Sequence, residues 1–319
     1  MKHTNWHGKP YYSLDAYCKN TFDHKCYKIA IDAGMTCPNR DGSLDTRGCI
    51  FCSAGGSGDF AAKGTSVAEQ LELGKTLFKA KKVGNHFIAY FQAYTNTYAP
   101  LPYLQKIYTQ ALSHPQVCGI SIATRPDCLG DSVLQLLQNL QLQYPDKFIW
   151  IELGLQTMHE QTAIYIRRGY ALSCFENAMA NLNKYHIPCI VHIILGLPGE
   201  TAQQMYDTVQ YLNKYHLFGI KLQLLHILQN TDLSVHYEKG LFQALEKEEY
   251  LDILIHCLEL LSPDIIVHRV TGDGPKDLLI APKWSLNKRD VLNSLHQEMK
   301  QRNTYQGRLF HATNPINTL

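Results

Sequence analysis

CPNRDGSLDTRGCIFC, residues 37–52, holds three cysteines, Cys37, Cys49 and Cys52, and no histidine. Cys49 and Cys52 form Cys-Ile-Phe-Cys, a spacing that lets both sulfurs face one metal centre. Eleven residues rich in Gly, Asp and Arg separate Cys37 from Cys49 and must loop out between them. Three close thiolates without a fourth suit a cluster that keeps one metal position open for chemistry. A structural zinc site normally takes four protein ligands in paired groups, and this chain has no second Cys-x-x-Cys. Disulfides are the other alternative. Ten cysteines in 319 residues follow a start, MKHTNWHGKPYYSLD, that is polar throughout and unlike a secretory signal. That combination points to a reducing cytosol, where thiols persist. Spacing alone favours iron–sulfur and leaves zinc open.

Outward from this stretch, short runs rich in β-branched and aromatic residues recur at 27–31, 86–91, 117–123, 148–153, 187–195 and 219–225. Several are nearly continuous apolar runs, as parallel strands covered on both faces require. Helical periodicity fills the gaps: Val133, Leu136, Leu137 and Leu140 form one stripe, and Met205, Val209 and Leu212 another. Ser66 with Glu69, and Ser173 with Glu176, read as capping boxes. Six strand–helix alternations predict an α/β fold, a partial (β/α)6 TIM-type barrel, because a full eight-unit barrel normally takes about 250 residues. The cysteine loop then follows the first strand at the carboxyl face, where sites in such folds collect. After residue 230 the pattern changes to a helix over 247–262, a short strand over 265–269, a Gly-rich turn and a final polar helix over 286–302. The expected organisation is a barrel with an N-terminal segment over 1–230 and an α+β extension over 231–319 packed on it.

Net charge is only +2 and the pI near 8.0, so the whole molecule is no nucleic-acid magnet. Lys283, Lys288, Arg289, Lys300, Arg302 and Arg308 give the C-terminal stretch a local basic excess, suited to phosphates or to a solvated helix surface. No apolar run approaches the roughly 20 residues that span a bilayer, so a cytoplasmic protein without a membrane partner is expected. Cys18, Cys26, Cys118, Cys128, Cys174, Cys189 and Cys257 are scattered without ligand spacing, which argues against an auxiliary cluster.

Just past the strands lie CPNRDG…CIFC, FQAYTNTY, ATRPDC, ELGLQT, ILGLPGET and KLQLLH. Together these segments resemble the radical S-adenosylmethionine (SAM) enzyme superfamily, and within it the YtqA/YhcC-like group related to the Elp3-like and HemN-like branches. The resemblance covers almost the whole chain. It implies that Cys37, Cys49 and Cys52 hold a 4Fe–4S cluster whose fourth iron binds the amino and carboxylate groups of S-adenosylmethionine. Reductive cleavage of that cofactor would then release a 5′-deoxyadenosyl radical for hydrogen abstraction, with the protein setting geometry and excluding water. An external electron donor such as flavodoxin or ferredoxin is implied as well.

The resemblance also implies roles along the strand ends. Residues 92–96, with Gln92 and Tyr94, bind the methionine amino group, mainly through backbone carbonyls; Tyr94 reads equally as a core or substrate-stacking aromatic. The Elp3-like pattern has an acidic residue where this chain has Ala123, which leaves Thr124 and Arg125, although Arg125 and Asp127 also read as a loop-ordering pair. Gln156 approaches the ribose hydroxyls or the methionine carboxylate, and Arg168 pairs with that carboxylate, a role that a planar guanidinium suits. Glu152, inside an apolar strand, needs a partner: Arg167, Arg168 or the cofactor. Gly196 and Pro198 pack against adenine, glycine admitting a flat ring and proline fixing the exit angle. His268, Arg269 and Asp273 read either as the lining of a substrate mouth or as a turn. The group's association with wobble uridines implies a tRNA substrate, in the pathway from carboxymethylaminomethyl-uridine to aminomethyl-uridine, and unpaired bases could stack on the tyrosines. Two other readings stand beside it: a radical enzyme for a small molecule or peptide, and a non-catalytic, metal-stabilised RNA-binding protein.

Overall fold

The computed structural model describes residues 6–56, 58–61, 64–79, 84–272 and 274–311. Strands β1 (Tyr27–Ile31), β2 (Phe87–Phe91), β3 (Val117–Thr124), β4 (Phe148–Gln156), β5 (Cys189–Leu195), β6 (Gly219–Leu224), β7 (Ile227–Leu228), β8 (Ile266–Arg269) and β9 (Leu279–Ala281) are laid down in chain order. Between and around them run helices α1 (Leu14–Phe22), α2 (Val67–Lys79), α3 (Leu101–Leu112), α4 (Asp131–Gln143), α5 (Glu160–Tyr165), α6 (Leu172–Lys184), α7 (Ala202–Leu212), α8 (Asp232–Glu238), α9 (Lys247–Leu260) and α10 (Lys288–Gln301).

Seven strands form one parallel sheet in the order β1-β2-β3-β4-β5-β6-β8, and β7 pairs with β9 antiparallel. The architecture is thus the expected α/β partial barrel, but with seven strands rather than six. The run at 265–269, expected in a C-terminal extension, lies parallel to β6 with Gly219 opposite Ile266. The reason is α9. Parallel neighbours need a crossover, and α9 supplies it, burying Leu251, Leu254, Ile255, Leu258 and Leu261 in the main core.

The sheet curls. In a flat sheet β1 and β6 would stand about 24 Å apart, five spacings of about 4.8 Å. Here Lys28 of β1 and Lys221 of β6 both reach the carboxylate of Glu152 on β4. Alternation sorts the side chains. Outward residues such as Ile29, Phe87, Ile120, Ile151, Val191 and Ile220 join the helices in the main core. Inward residues stack in layers, as in barrels generally. Ile88, Trp150 and Ile190, with Tyr17, Phe148 and Phe218, plug the foot. Lys28, Tyr90, Ser121, Glu152, His192 and Lys221 form a polar middle. His268 stands against Trp150 and Phe218, so it belongs to the plug and not to a substrate mouth. Asp273 lies outside the described residues.

Local signals hold unevenly. Ser66 accepts from the Glu69 N–H at 3.2 Å, as predicted, while the Glu69 carboxylate turns to Thr65. The second predicted box does not form: α6 starts at Leu172, and its Leu172 N–H donates to Glu160 from the start of α5. A full capping box joins Thr201 and Gln204 at α7. The basic C-terminal stretch is partly neutralised, because Arg302 pairs with Asp252 and Glu298, and Arg308 with Glu259. Among the described residues no helix is long and apolar enough to cross a membrane.

Candidate active site

The cysteine loop is fixed at both ends by its own backbone. Arg40 and Asp41 N–H groups donate back to the Cys37 carbonyl at 2.7 and 3.1 Å, Gly48 N–H to Asn39 at 2.7 Å, and Cys52 N–H to Cys49 at 3.0 Å. Gly48 has φ +78°, and a Cβ there would meet Arg40 Nε at 2.9 Å, so glycine is required where the loop turns back on Cys37. Between Cys49 and Cys52, Ile50 drops into an apolar pocket with Ile166, Leu197, Leu225, Ile227 and Leu233. Burying this one side chain anchors the motif, worth about 2 kcal/mol. Asn39 then latches the loop to the turn after α5: its Nδ2 donates to the Arg167 carbonyl at 2.8 Å and the Arg168 carbonyl at 3.2 Å, and lies 3.5 Å from Cys49 Sγ. Arg40 donates to the Cys52 and Ser53 carbonyls. The adjoining Cys52, then the Arg125 guanidinium, Asn39 and Arg167, outweigh burial and hold the Cys49 thiol below its ordinary range.

The three cysteines open onto a cavity of about 150 Å³ at the carboxyl end of the sheet. Gln92, Tyr94, Thr124, Glu152, Gln156 and Arg168 all line it. The structure therefore gathers nine of the eleven expected site residues in one place. It does not bring Gly196 and Pro198 there. These line a separate depression with Tyr237, Phe242 and Trp284, and a Cβ on Gly196 would meet Leu245 at 2.9 Å.

Three expected contacts differ in detail. Glu152 pairs with neither Arg167 nor Arg168. Its partners are Lys28, Lys221, Ser121 and His192, the last at 2.7 Å. Burial alone would raise this carboxyl, but the Lys221 and Lys28 ammonium groups hold it well below the usual carboxylate range. Arg167 instead pairs with Asp232. Arg168 is 1% exposed, and its guanidinium donates to the Tyr170, Leu155 and Thr157 carbonyls and to Glu160. It knits the turn together rather than facing an open carboxylate position. Arg125 and Asp127 do form their loop-ordering pair, at 2.7 and 2.9 Å.

Gln156 and Tyr94 are aimed by strained backbone, with φ +63° and +62°. A register shift between Gly154 and Gln156 marks a bulge in β4, a device that redirects a side chain at a strand end. Tyr94 lies beneath the segment after Cys52, its hydroxyl bonded to the Ala54 carbonyl and its ring filling the space a Gly56 Cβ would need. Periodicity did not single out Asn39, Arg40, Tyr170, His192 or Lys221. The signal was present for the last two, as a lone His in CIVHIIL and a lone Lys in GIKLQL, polar residues on the inward side of apolar strands. Burial first, then Lys221, pushes His192 down to about 4. The neutral ring bonds Glu152 through Nε2 and meets Gln223 through Nδ1 at 3.4 Å.

The profile of the Radical SAM superfamily matches residues 46–212, and that of the Radical SAM C-terminal domain residues 218–301. The chain is 42% identical over 303 residues to YtqA of Bacillus subtilis, covering 95% of this chain and 93% of that protein. It is 34% identical over 269 residues to YhcC of Escherichia coli, covering 84% and 85%. The chain belongs to the radical SAM superfamily. More distantly, a tRNA uridine(34) acetyltransferase of Dehalococcoides mccartyi is 24% identical over 188 residues, 57% of this chain and 40% of that protein. The archaeal Elp3 of Methanocaldococcus infernus shares the fold of this radical SAM enzyme, with TM-score 0.66 at 13% identity over 88% of this chain and 64% of that one.

Membership implies a 4Fe–4S cluster and S-adenosylmethionine, and the residues fit both. Among the described residues, Cys37, Cys49 and Cys52 are the only thiols lining the cavity, and its one imidazole, His192, is engaged by Glu152 and Gln223. Three sulfur donors leave a cluster one open position, and the cavity lies beside them. Asn39 Oδ1, buried by the loop, has no hydrogen-bond partner among the described residues. A closed zinc set of four would need a further ligand, and among the described residues of the lining Glu152 and His192 are already engaged, with Lys221 and with each other. A thiol set held only for loop stability is set aside with it.

Proposed function

We propose that this radical SAM enzyme modifies tRNA at the wobble uridine, on the route from carboxymethylaminomethyl-uridine to aminomethyl-uridine. The observation that carries the reading is a second cavity, about 140 Å³, that shares Phe51, Cys52 and Gln92 with the first and opens past Gln223, His226 and Arg269. A substrate held there would meet the cofactor site beside Cys52. Arg269 places a cation at this mouth, suited to a carboxymethyl group or a phosphate. Gly272 and Gly274 pack against the His226 ring, where added Cβ atoms would come within 2.7 and 3.1 Å, so backbone closes over that wall. The distant likeness to a tRNA uridine(34) acetyltransferase supports the same substrate class.

When bound, the cluster and S-adenosylmethionine supply one-electron cleavage and a radical for hydrogen abstraction. In this reading Cys37, Cys49 and Cys52 hold the cluster, while the 92–96 backbone with Gln92 and Tyr94, together with Thr124 and Gln156, receives the cofactor's polar groups. Because Arg168 is engaged by carbonyls, its part is to fix the 166–170 turn, and Gln156 takes over carboxylate or ribose recognition. Glu152, held ionised by two lysines, keeps the cavity floor polar and rigid. A small reductant such as flavodoxin or ferredoxin would deliver the electron in the cytosol.

The test has two arms. Reconstituted protein with S-adenosylmethionine and reductant should release 5′-deoxyadenosine, and Cys52→Ala should abolish release. Nucleoside mass spectrometry of tRNA from a deletion strain should show carboxymethylaminomethyl-uridine accumulating at position 34. Unchanged wobble uridines would end the tRNA reading and turn attention to a small-molecule or peptide substrate.

A further inference from the structure

The foot of the barrel gathers a second set of metal-type side chains that the sequence scatters. His24 and Cys26 lie in the turn between α1 and β1, His86 immediately precedes β2, and Cys118 is on β3. These strands are parallel neighbours, with Tyr27 opposite Phe87 and Phe87 opposite Val117. Their amino ends therefore align, pinned by Tyr27 N–H to the His86 carbonyl at 3.0 Å and Phe87 N–H to Gln116 at 2.9 Å. Positions some 60 and 90 residues from His24 come to one point only through that pairing.

We propose that His24, Cys26, His86 and Cys118 bind a structural, zinc-class divalent metal ion. Ligand atoms of His24, His86 and Cys118 all lie within 4.8 Å of one another. Cys26 Sγ is 3.8 Å from His24 Nδ1 and meets the Cys118 thiol. Ligands on a tetrahedral zinc stand about 3.3–3.8 Å apart, given bonds of 2.0–2.3 Å, a spacing close to that of these atoms. Two imidazoles and two thiols are the donor mix that zinc takes in closed, four-ligand sites. The rings of His24 and His86 lie face to face, 3.3 Å between centroids and 11° from parallel. The buried Cys18 thiol backs Cys26.

The ion would tie the α1–β1 turn to three strands at the end of the barrel opposite the cysteine loop. Its function is structural, since four protein ligands leave no open position.

The test uses full-length protein with Cys37→Ala, Cys49→Ala and Cys52→Ala, which removes the radical cluster. Purified under reducing conditions, it should retain about one zinc per chain, as expected of one closed site. After chelation, Co²⁺ should give the visible absorption of a tetrahedral thiolate site. Adding His86→Gln and Cys118→Ser should abolish both signals, while Cys174→Ser should change neither. If the double substitution does not fold, His24→Gln alone, at a half-exposed ring, replaces it. Zinc well below stoichiometry, zinc retained by the folded ligand variants, or a disulfide linking Cys26 to Cys18 or Cys118 in the metal-free protein would overturn the proposal.

Discussion

At Glu152 an apolar strand accepts a carboxylate because Lys28, Lys221, Ser121 and His192 converge on its two oxygens. Lys221 is 2% exposed and also donates to Tyr90, so removing the anion strands a buried cation. Glu152→Gln should destabilise the fold by about 3–5 kcal/mol, measured by urea unfolding, with Glu152→Asp recovering only part. His192 gives the interior a pH signature. In the native protein it titrates near 4, whereas an unfolded histidine takes up its proton near 6.5. The unfolded state therefore binds more protons between these values, and stability falls as pH drops from 6.5 towards 4, by up to about 3 kcal/mol. His226, also pushed down to about 4 by burial and then by Lys288 and Arg269, adds to the same window. A Tm series from pH 7 to 4 should show this slope, to which buried His268 also adds, and His192→Gln should make it measurably shallower. An unaltered slope would mean that the ring is charged in the native state.

Among the elements, the cysteine loop and the turn after α5 act as a pair. Asn39 bridges them, and Gly169, with φ +82°, leaves room for it: a Cβ there would meet Asn39 Oδ1 at 2.5 Å. Asn39→Ala removes two bonds to buried carbonyls, a loss of about 1–3 kcal/mol concentrated on the loop. The expected result is a normal far-UV spectrum with clearly lower iron and sulfide retention after anaerobic reconstitution. Undiminished retention would show that the Ile50 anchor alone positions the thiols.

Across the whole molecule, the open side of the half-barrel needs covering, since an unpaired strand edge invites aggregation. The chain's two ends do this together. Val267 N–H of β8 donates to the Tyr12 carbonyl at 2.7 Å, and Ser13 bridges Val267. Gln306, fully buried, accepts from Tyr12 N–H at 2.9 Å and donates to the Ser262 and Ile265 carbonyls at 2.7 and 2.8 Å. Gln306→Ala should lower unfolding free energy by about 2 kcal/mol, because it leaves those backbone groups without a partner. Denaturant titration checks it, and a change within error would assign the seam to backbone bonds, Val267 N–H to Tyr12 and Gln306 N–H to the Pro10 carbonyl.

The sequence by itself determined the parallel α/β class, the positions of the seven strands of the main sheet, the cysteine triplet and the strand-end segments around it. These are local patterns: apolar runs, helical stripes and ligand spacing, each set by a few neighbouring residues. Only the tertiary structure decided what depends on curl and register. It made the 266–269 strand the seventh of the sheet, turned Arg168 into a carbonyl clamp and gave Glu152 two lysines from strands five apart in order. It also separated Gly196 and Pro198 from the cavity and drew His24, Cys26, His86 and Cys118 to the barrel's foot. Spacing along the chain cannot show such contacts, because parallel pairing joins residues that a whole crossover separates. The three cysteines needed no such help: one loop carries them all.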